Sequence, residues 1–189
     1  MALRLDVLLR EAGYQTILTR AGDYTLTAFD PADYRLSQRI EMQARVDKAN
    51  QAQADIIVSV HFNGADDRSQ AGTEVYYNPD RSFGENNRAL AVFLHDALIS
   101  AIRALGYDVS DRGVKNDAEV GGDPNNPHSH LLGTNADFRP SLMPGVIVEP
   151  LFLSNDQEAD LLRRDDVRQA IAAAYKTGID AYFAWLSAR

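Results

Sequence analysis

The 189-residue chain predicts an α/β fold: a single-domain three-layer sandwich whose mainly parallel sheet carries helices on both faces. Three observations predict it. Short β-branched runs alternate with longer segments of helical period, the arrangement of βα units. Two of those runs, residues 56–60 and 145–148, are aliphatic and β-branched with little alternation, as strands covered on both faces are. Finally, 45% hydrophobic residues over this length suffice for one substantial core.

The elements follow in order. Leu5, Leu8, Leu9 and Ala12 fall at i, i+3, i+4 and i+7, one apolar stripe of a helix, which Gly13 ends. No Ser, Thr, Asp or Asn precedes this helix to cap its free amides. The chain is therefore expected to begin partway through a helix, with a frayed genuine terminus as the alternative. Residues 14–20, Y-Q-T-I-L-T-R, read as a strand. Asp30-Pro31 is a cap followed by proline at the first helical position. It opens a helix to about Gln53 with Leu36, Ile40, Met42, Val46 and Ala49 as its apolar residues. The run 56–60 comes next, then a polar loop and a further strand, Gly72-Thr73-Glu74-Val75-Tyr76-Tyr77. Leu90, Phe93, Leu94, Ala97, Leu98, Ala101, Ile102 and Leu105 mark a strong helical period closed by Gly106. Residues 107–144, rich in Gly, Pro, Asn and Asp, read as irregular, and so long a loop is expected to be functional or mobile. Residues 145–149 are a second buried strand. Ser154 is expected to cap the next helix in a box with Gln157, and a last helix spans about 165–186.

Composition narrows the function. The net charge is −8 and the 19 basic residues form no run, which argues against nucleic acid and anionic membrane surfaces as partners. Without cysteine there is neither a disulfide nor a thiolate metal site. No stretch reaches the roughly 18 apolar residues of a membrane span, and residues 1–9 carry Arg4 and Asp6 where a signal peptide needs an apolar core.

Both buried strands end in side chains able to do chemistry. His61 closes the first just before Asn63-Gly64, and open α/β sheets hold ligands beyond the carboxyl ends of their strands. A neutral imidazole is the commonest protein metal ligand, although one histidine makes no metal site and His61 could equally hydrogen-bond a loop. Glu149 closes the second strand before Pro150 and Leu151. Partial desolvation there would raise its pKa toward that of a useful general base; a metal on His61 would oppose the shift, and an ion pair with Arg112 or Arg139 is the structural alternative. His128 and His130, two apart in the long loop, could meet a metal or substrate or simply face solvent. His95 lies off the apolar stripe of its helix and is expected at the surface. Glu74 and Asp111 are expected to pair locally.

From Leu3 to about Leu162 the chain resembles the zinc-dependent N-acetylmuramoyl-L-alanine amidases, which cut bacterial peptidoglycan. A-L-R-L-D-V-L-L-R-E-A-G-Y-Q-T-I-L-T-R is similar to that family's first helix and second strand. Arg45-Val46-Asp47-Lys48-Ala49-Asn50, Ala54-Asp55 and V-S-V-H-F-N-G resemble its R-x-x-x-A-N…A-D…S-I-H-A-N-A block. Residues 72–77 resemble its G-[TS]-E-[TV]-Y-Y strand and residues 111–115 its D-R-G-V-K segment. Residues 143–155 resemble M-P-A-V-L-V-E-x-G-F-[LI]-S-N. Each match is moderately specific; five in order are strong. The resemblance implies that His61 is a zinc ligand and Glu149 the catalytic glutamate, zinc polarising the scissile carbonyl and activating water while the glutamate carries a proton to the leaving amine.

The departures matter as much. The family's other two protein ligands are a histidine in a D-x-G-H-G-G motif after its first strand and a glutamate near the start of its first helix. Neither has a counterpart here, so the chain is expected to bind zinc weakly or not at all, to lack the family's first strand and to expose the edges of that strand's neighbours. Either further sequence precedes residue 1, or this is a relative that has lost hydrolysis. The leading expectation is a hydrolase of the N-acetylmuramic acid–L-alanine bond, acting on peptidoglycan or muropeptides in the periplasm or cell wall, with an activator protein conceivable. The alternatives are a non-catalytic peptidoglycan-binding or regulatory domain on this fold and a different zinc peptidase.

Overall fold

The computed structural model describes residues 1–119, 127–134 and 138–189. Its sheet consists of β1 (Ile57–Val60), β2 (Thr73–Tyr77), β3 (Asp111–Asn116) and β4 (Gly145–Glu149), in the order β1-β4-β2-β3. β1 runs parallel to β4 and β2 to β3, but β2 and β4 are antiparallel, so the sheet is mixed. The helices are α1 (Ala2–Glu11), α2 (Tyr34–Gln51), α3 (Gly84–Ala104), α4 (Asp156–Arg163) and α5 (Asp165–Ser187).

Alternation along the strands makes three layers. Val75, Val146 and Val148 point into a core with Leu90, Leu94 and Leu98 of α3 and Ile171, Tyr175 and Ile179 of α5. Their neighbours Ile57 and Ile147 point the other way, against Val46 and Ala49 of α2 and Leu131, Leu132 and Met143. α3 and α5 pack backbone to backbone at Gly178, where a Cβ would lie 2.7 Å from Leu94 Cα and 2.8 Å from Phe93 O. Since those atoms are backbone, only a shift of one helix could make room. Gly178→Ala should therefore cost about 1–3 kcal/mol in urea unfolding; an unchanged midpoint would mean that the helix pair slides freely.

Three local expectations need correction. Residues 14–20 form no strand. The segment is pinned instead by side chains, with Tyr14 Oη on Asp180 at 2.8 Å and Lys48 Nζ on Leu18 O at 2.9 Å. A cavity of about 750 Å³ separates it from β1, so its β-branched residues have no ladder to join. Residues 107–144, read as irregular, contain β3, whose polar run Asp-Arg-Gly-Val-Lys-Asn carries no strand signal; its position beside β2, with a register shift at Thr73/Glu74, makes it a strand. The cap of α4 is Asn155, which accepts from Glu158 N at 3.2 Å, rather than Ser154, which accepts from Ala65 N at 3.0 Å. The Glu158 carboxylate is fully buried and takes the Gly72 and Phe152 amides at 2.9 and 2.6 Å and the Tyr107 hydroxyl at 3.0 Å, tying α4 to the loops before β2 and after β4.

Other readings hold closely. Asp30 accepts from Ala32 N at 2.9 Å in a 3-10 turn, then Asp33 accepts from Leu36 N at 3.2 Å to start α2. Gly13 closes α1 at φ +91°, and Met1 provides no side-chain cap.

Candidate active site

Parallel pairing of β1 and β4 places the residue after β1 beside the last residue of β4. His61 N donates to Val148 O at 3.1 Å, and His61 Nδ1 stands 3.9 Å from Glu149 Oε1. Both side chains leave the α2 face of the sheet, at the carboxyl rim where the alternation of strand and loop opens a site. The separation is too long for a hydrogen bond. Nor is this a formed ion pair, because burial and the nearby Arg45 guanidinium hold the His61 imidazolium down, while burial and Glu74 push the Glu149 carboxyl up to about 7. Each group is driven toward its neutral form.

The second cause has a structural origin that strand periodicity along one segment could not show. Antiparallel pairing sets Glu74 of β2 directly across from Glu149. Glu74 is 2% exposed yet charged, held down at about 2 by Lys115 Nζ at 2.6 Å, Arg112 Nε at 2.8 Å and Tyr76 Oη at 2.7 Å, with Asn63 Nδ2 as a further donor. Burial opposes those donors and loses to them. Glu149 has no such donors, and its Oε2 is buried without a hydrogen-bond partner. Two carboxylates face each other across one strand pair with their affinities for a proton driven far apart, one a fixed anion and the other a proton carrier tuned to neutral pH. Neither arginine of the structural alternative reaches Glu149: Arg112 pairs with Glu74 and Arg139 with Asp47 on α2.

His61 Nε2 lies 2.8 Å from Ser59 Oγ, two residues back on the same face. With Nε2–H donating to that hydroxyl, Nδ1 would turn its lone pair toward the Glu149 side, the arrangement in which an imidazole can serve a cation.

The remaining histidines do not join them. His128 is clamped between Asp117, 2.7 Å from Nδ1, and Asp80, 3.2 Å from Nε2, while His130 packs edge-on against Phe138 at 5.2 Å. His128 and His130 therefore do not converge on one ligand; residues 120–126 and 135–137 of the long loop lie outside the described residues. His95 is buried, not exposed, because β3 covers that side of α3 and brings Asp111 Oδ1 within 2.9 Å of Nε2.

A catalytic zinc takes three protein donors and keeps one position open. Among the described residues, no three His, Cys, Asp or Glu side chains gather as a ligand set. His61 and Glu149 alone do not fit a zinc centre.

Residues 1–181 match the model of a protein family described as N-acetylmuramoyl-L-alanine amidase. The chain belongs to this amidase family. It is 32% identical over 178 residues to YqiI, an uncharacterised protein of Bacillus subtilis, covering 93% of the chain and 67% of YqiI. It is 27% identical over 183 residues to the N-acetylmuramoyl-L-alanine amidase LytC of the same bacterium, covering 97% of the chain but 30% of LytC. The chain thus spans less than a third of that amidase's length. In fold it is similar to the CwlD amidase of Clostridioides difficile, solved in complex with the GerS lipoprotein, at a TM-score of 0.75 and 22% identity over 96% of the chain and 82% of CwlD. The family match and the sheet agree: the amidase domain's open mixed sheet, with helices on both faces, is the architecture found here. Among the described residues, no helix is long and apolar enough to cross a membrane.

Proposed function

We propose that residues 1–189 act as one catalytic domain that hydrolyses the amide bond between N-acetylmuramic acid and L-alanine in peptidoglycan, outside the cytoplasmic membrane. The observation that carries this reading is the meeting of His61 and Glu149 at 3.9 Å on one rim of the sheet. Glu149 is the proton carrier. With its carboxyl at about 7, it is part ionised near neutral pH, so it can take a proton from an attacking water and return it to the departing amine. Expelling that amine is the hard part of amide cleavage, which is why a carrier effective in both directions is needed. Glu74, already ionised and fully hydrogen-bonded, cannot fill this role and instead positions the carrier electrostatically.

Zinc is the metal we propose for this reaction on the strength of the family resemblance; His61 would be one donor, and the described residues supply no complete set. By likeness to CwlD, which was solved with a lipoprotein bound, an activating protein partner is part of the proposal. The net charge of −8 disfavours nucleic acid.

The test is digestion of purified sacculi in zinc-containing buffer, followed by labelling of new amino termini. L-Alanine should appear. Termini of another residue would overturn the bond assignment; sacculi that bind the protein and stay intact would make it a binding module. His61→Ala should reduce L-alanine release at least a hundredfold and lower the zinc retained after dialysis. Retention of wild-type zinc by this variant would remove His61 from the donor set.

A further inference from the structure

The sheet face that carries Glu149 also holds more positive charge than the proton carrier needs. Glu74 and Tyr76 stand opposite Glu149 and Ile147 in the antiparallel register, so all four side chains leave one face. Lys115 stands beside Tyr76 on β3. Arg112 is the extra residue at the register shift, a bulge that turns its side chain toward the same carboxylate. Two cations thus share one anion, Lys115 Nζ lying 2.6 Å and Arg112 Nε 2.8 Å from Glu74 Oε2. Among the described residues neither cation pairs with a second carboxylate, so the cluster carries a net positive charge. Glu74 is 2% exposed and the side chains of Lys115 and Arg112 are 28% and 29% exposed, so a ligand arriving from solvent meets the cations first. The guanidinium is held in place by Nη1 on Gln70 Oε1 at 3.0 Å and by the Phe152 ring, 5.0 Å away at its centroid. Its Nη2, and the ammonium protons not aimed at Glu74, donate to no group among the described residues.

We infer that Arg112 and Lys115 form a carboxylate subsite for the leaving peptide, selecting substrates with an anionic group on the second residue from the scissile bond. This rests on the hydrolysis proposed above. The ligand class follows from the donors: a guanidinium fork with one nitrogen free, beside an ammonium, matches the oxygens of a carboxylate. The position follows from the spacing. Glu149 and Glu74 are direct partners, about 5 Å apart at the backbone, and both cationic heads gather at Glu74 rather than over their own strand. Two extended residues span about 7 Å. A peptide whose departing nitrogen lies at Glu149 therefore brings the carboxylate of its second residue to the cations, while the carbonyl of its first residue is tied up in a peptide bond. Glu74 keeps the two heads together, which would repel each other without it.

The test compares N-acetylmuramoyl-L-alanylglycine with its C-terminal amide, two compounds that differ by one charge on the second residue. The wild-type protein should favour the acid by about tenfold or more in kcat/KM, and the preference should shrink as salt is added. Lys115→Met should bring the ratio of the two close to one, and Lys115→Arg, which keeps the charge, should restore most of it. A ratio does not depend on how much of a variant is folded, so a merely structural role for Lys115 would leave it unmoved. The same contrast should appear without turnover. L-Alanylglycine should bind about tenfold more tightly than L-alanylglycinamide in an NMR titration and shift the Lys115 ammonium signal. Equal kcat/KM for acid and amide in the wild-type protein, or an unchanged preference in Lys115→Met, would overturn the inference and leave the hydrolysis standing. Cleavage of neither compound, with the binding contrast intact, would remove the hydrolysis and leave a subsite that binds carboxylates. Loss of both contrasts would remove the subsite as well.

Discussion

Glu149→Gln should abolish L-alanine release while making the folded chain more stable at alkaline pH. Loss of a positioned proton carrier costs about 10²–10⁴-fold in rate, and glutamine keeps the side chain's shape. The stability gain follows from the sign of the shift. The Glu149 carboxyl rises from an ordinary 4.5 to about 7 on folding, so the folded state binds its proton more tightly than the unfolded chain does. That contribution is complete below about pH 4.5 and is lost as pH rises through about 7. Above pH 8 the wild-type protein holds a buried, partnerless anion, and removing it should recover on the order of 3 kcal/mol for the metal-free chain. Urea unfolding at pH 5 and pH 8.5 checks this: the two proteins should be close at the lower pH and clearly separated at the higher. Equal stability at both would mean that Glu149 has an ordinary affinity for its proton, and the proton-carrier role would go with it. Such a gain marks a site where function is maintained at the expense of stability.

Glu74→Gln should act in the opposite direction on stability. Its carboxylate neutralises Arg112 and Lys115 and gathers donors from Asn63 and Tyr76. Removing the charge leaves two cations facing each other in a half-buried pocket, a loss of roughly 3–5 kcal/mol. Because the Glu74 carboxyl is lowered to about 2 on folding, its contribution is present above about pH 4.5 and disappears as pH falls through about 2. The variant's deficit should therefore be full at pH 7 and shrink in strong acid. The same substitution removes the negative neighbour of Glu149. Burial, the larger cause of that residue's raised affinity, remains, so its titration should move down only partway from about 7, carrying the acid limb of the pH–rate profile with it. Titration of Glu149 by carbon-13 carboxyl NMR in the variant gives the answer directly. An unmoved titration would assign the shift to burial alone and reduce Glu74 to a structural anchor.

Between them the two carboxylates show how far a reading along the chain can go. That His61 and Glu149 each end an apolar strand is visible in the residues, since a run without alternation must be covered on both faces and its first polar residue must lie at the rim. Their nearness also follows once parallel pairing of those two strands is assumed. The role of Glu74 does not. It is the second residue of β2, in a motif that promises only a strand, and nothing near it in sequence marks it as the neighbour of Glu149.

Helices α2, α3 and α5 were legible because their apolar residues recur at helical spacing and their ends carry Asp, Gly or proline signals, all local properties of the polymer. β3 and segment 14–20 failed in opposite directions for one reason. A strand exists only where a neighbour supplies hydrogen bonds: the polar run 111–116 has β2 beside it and becomes a strand, whereas the β-branched run 14–20 lies across a cavity from β1 and does not. His95 failed similarly, its burial set by β3 rather than by its own helix. Local residue chemistry thus chose the layers, the ends of the elements and the two groups at the rim. The antiparallel register of β2 on β4 chose which carboxylate stays charged and which carries the proton, because the field at a side chain is summed over neighbours in space, however distant along the chain.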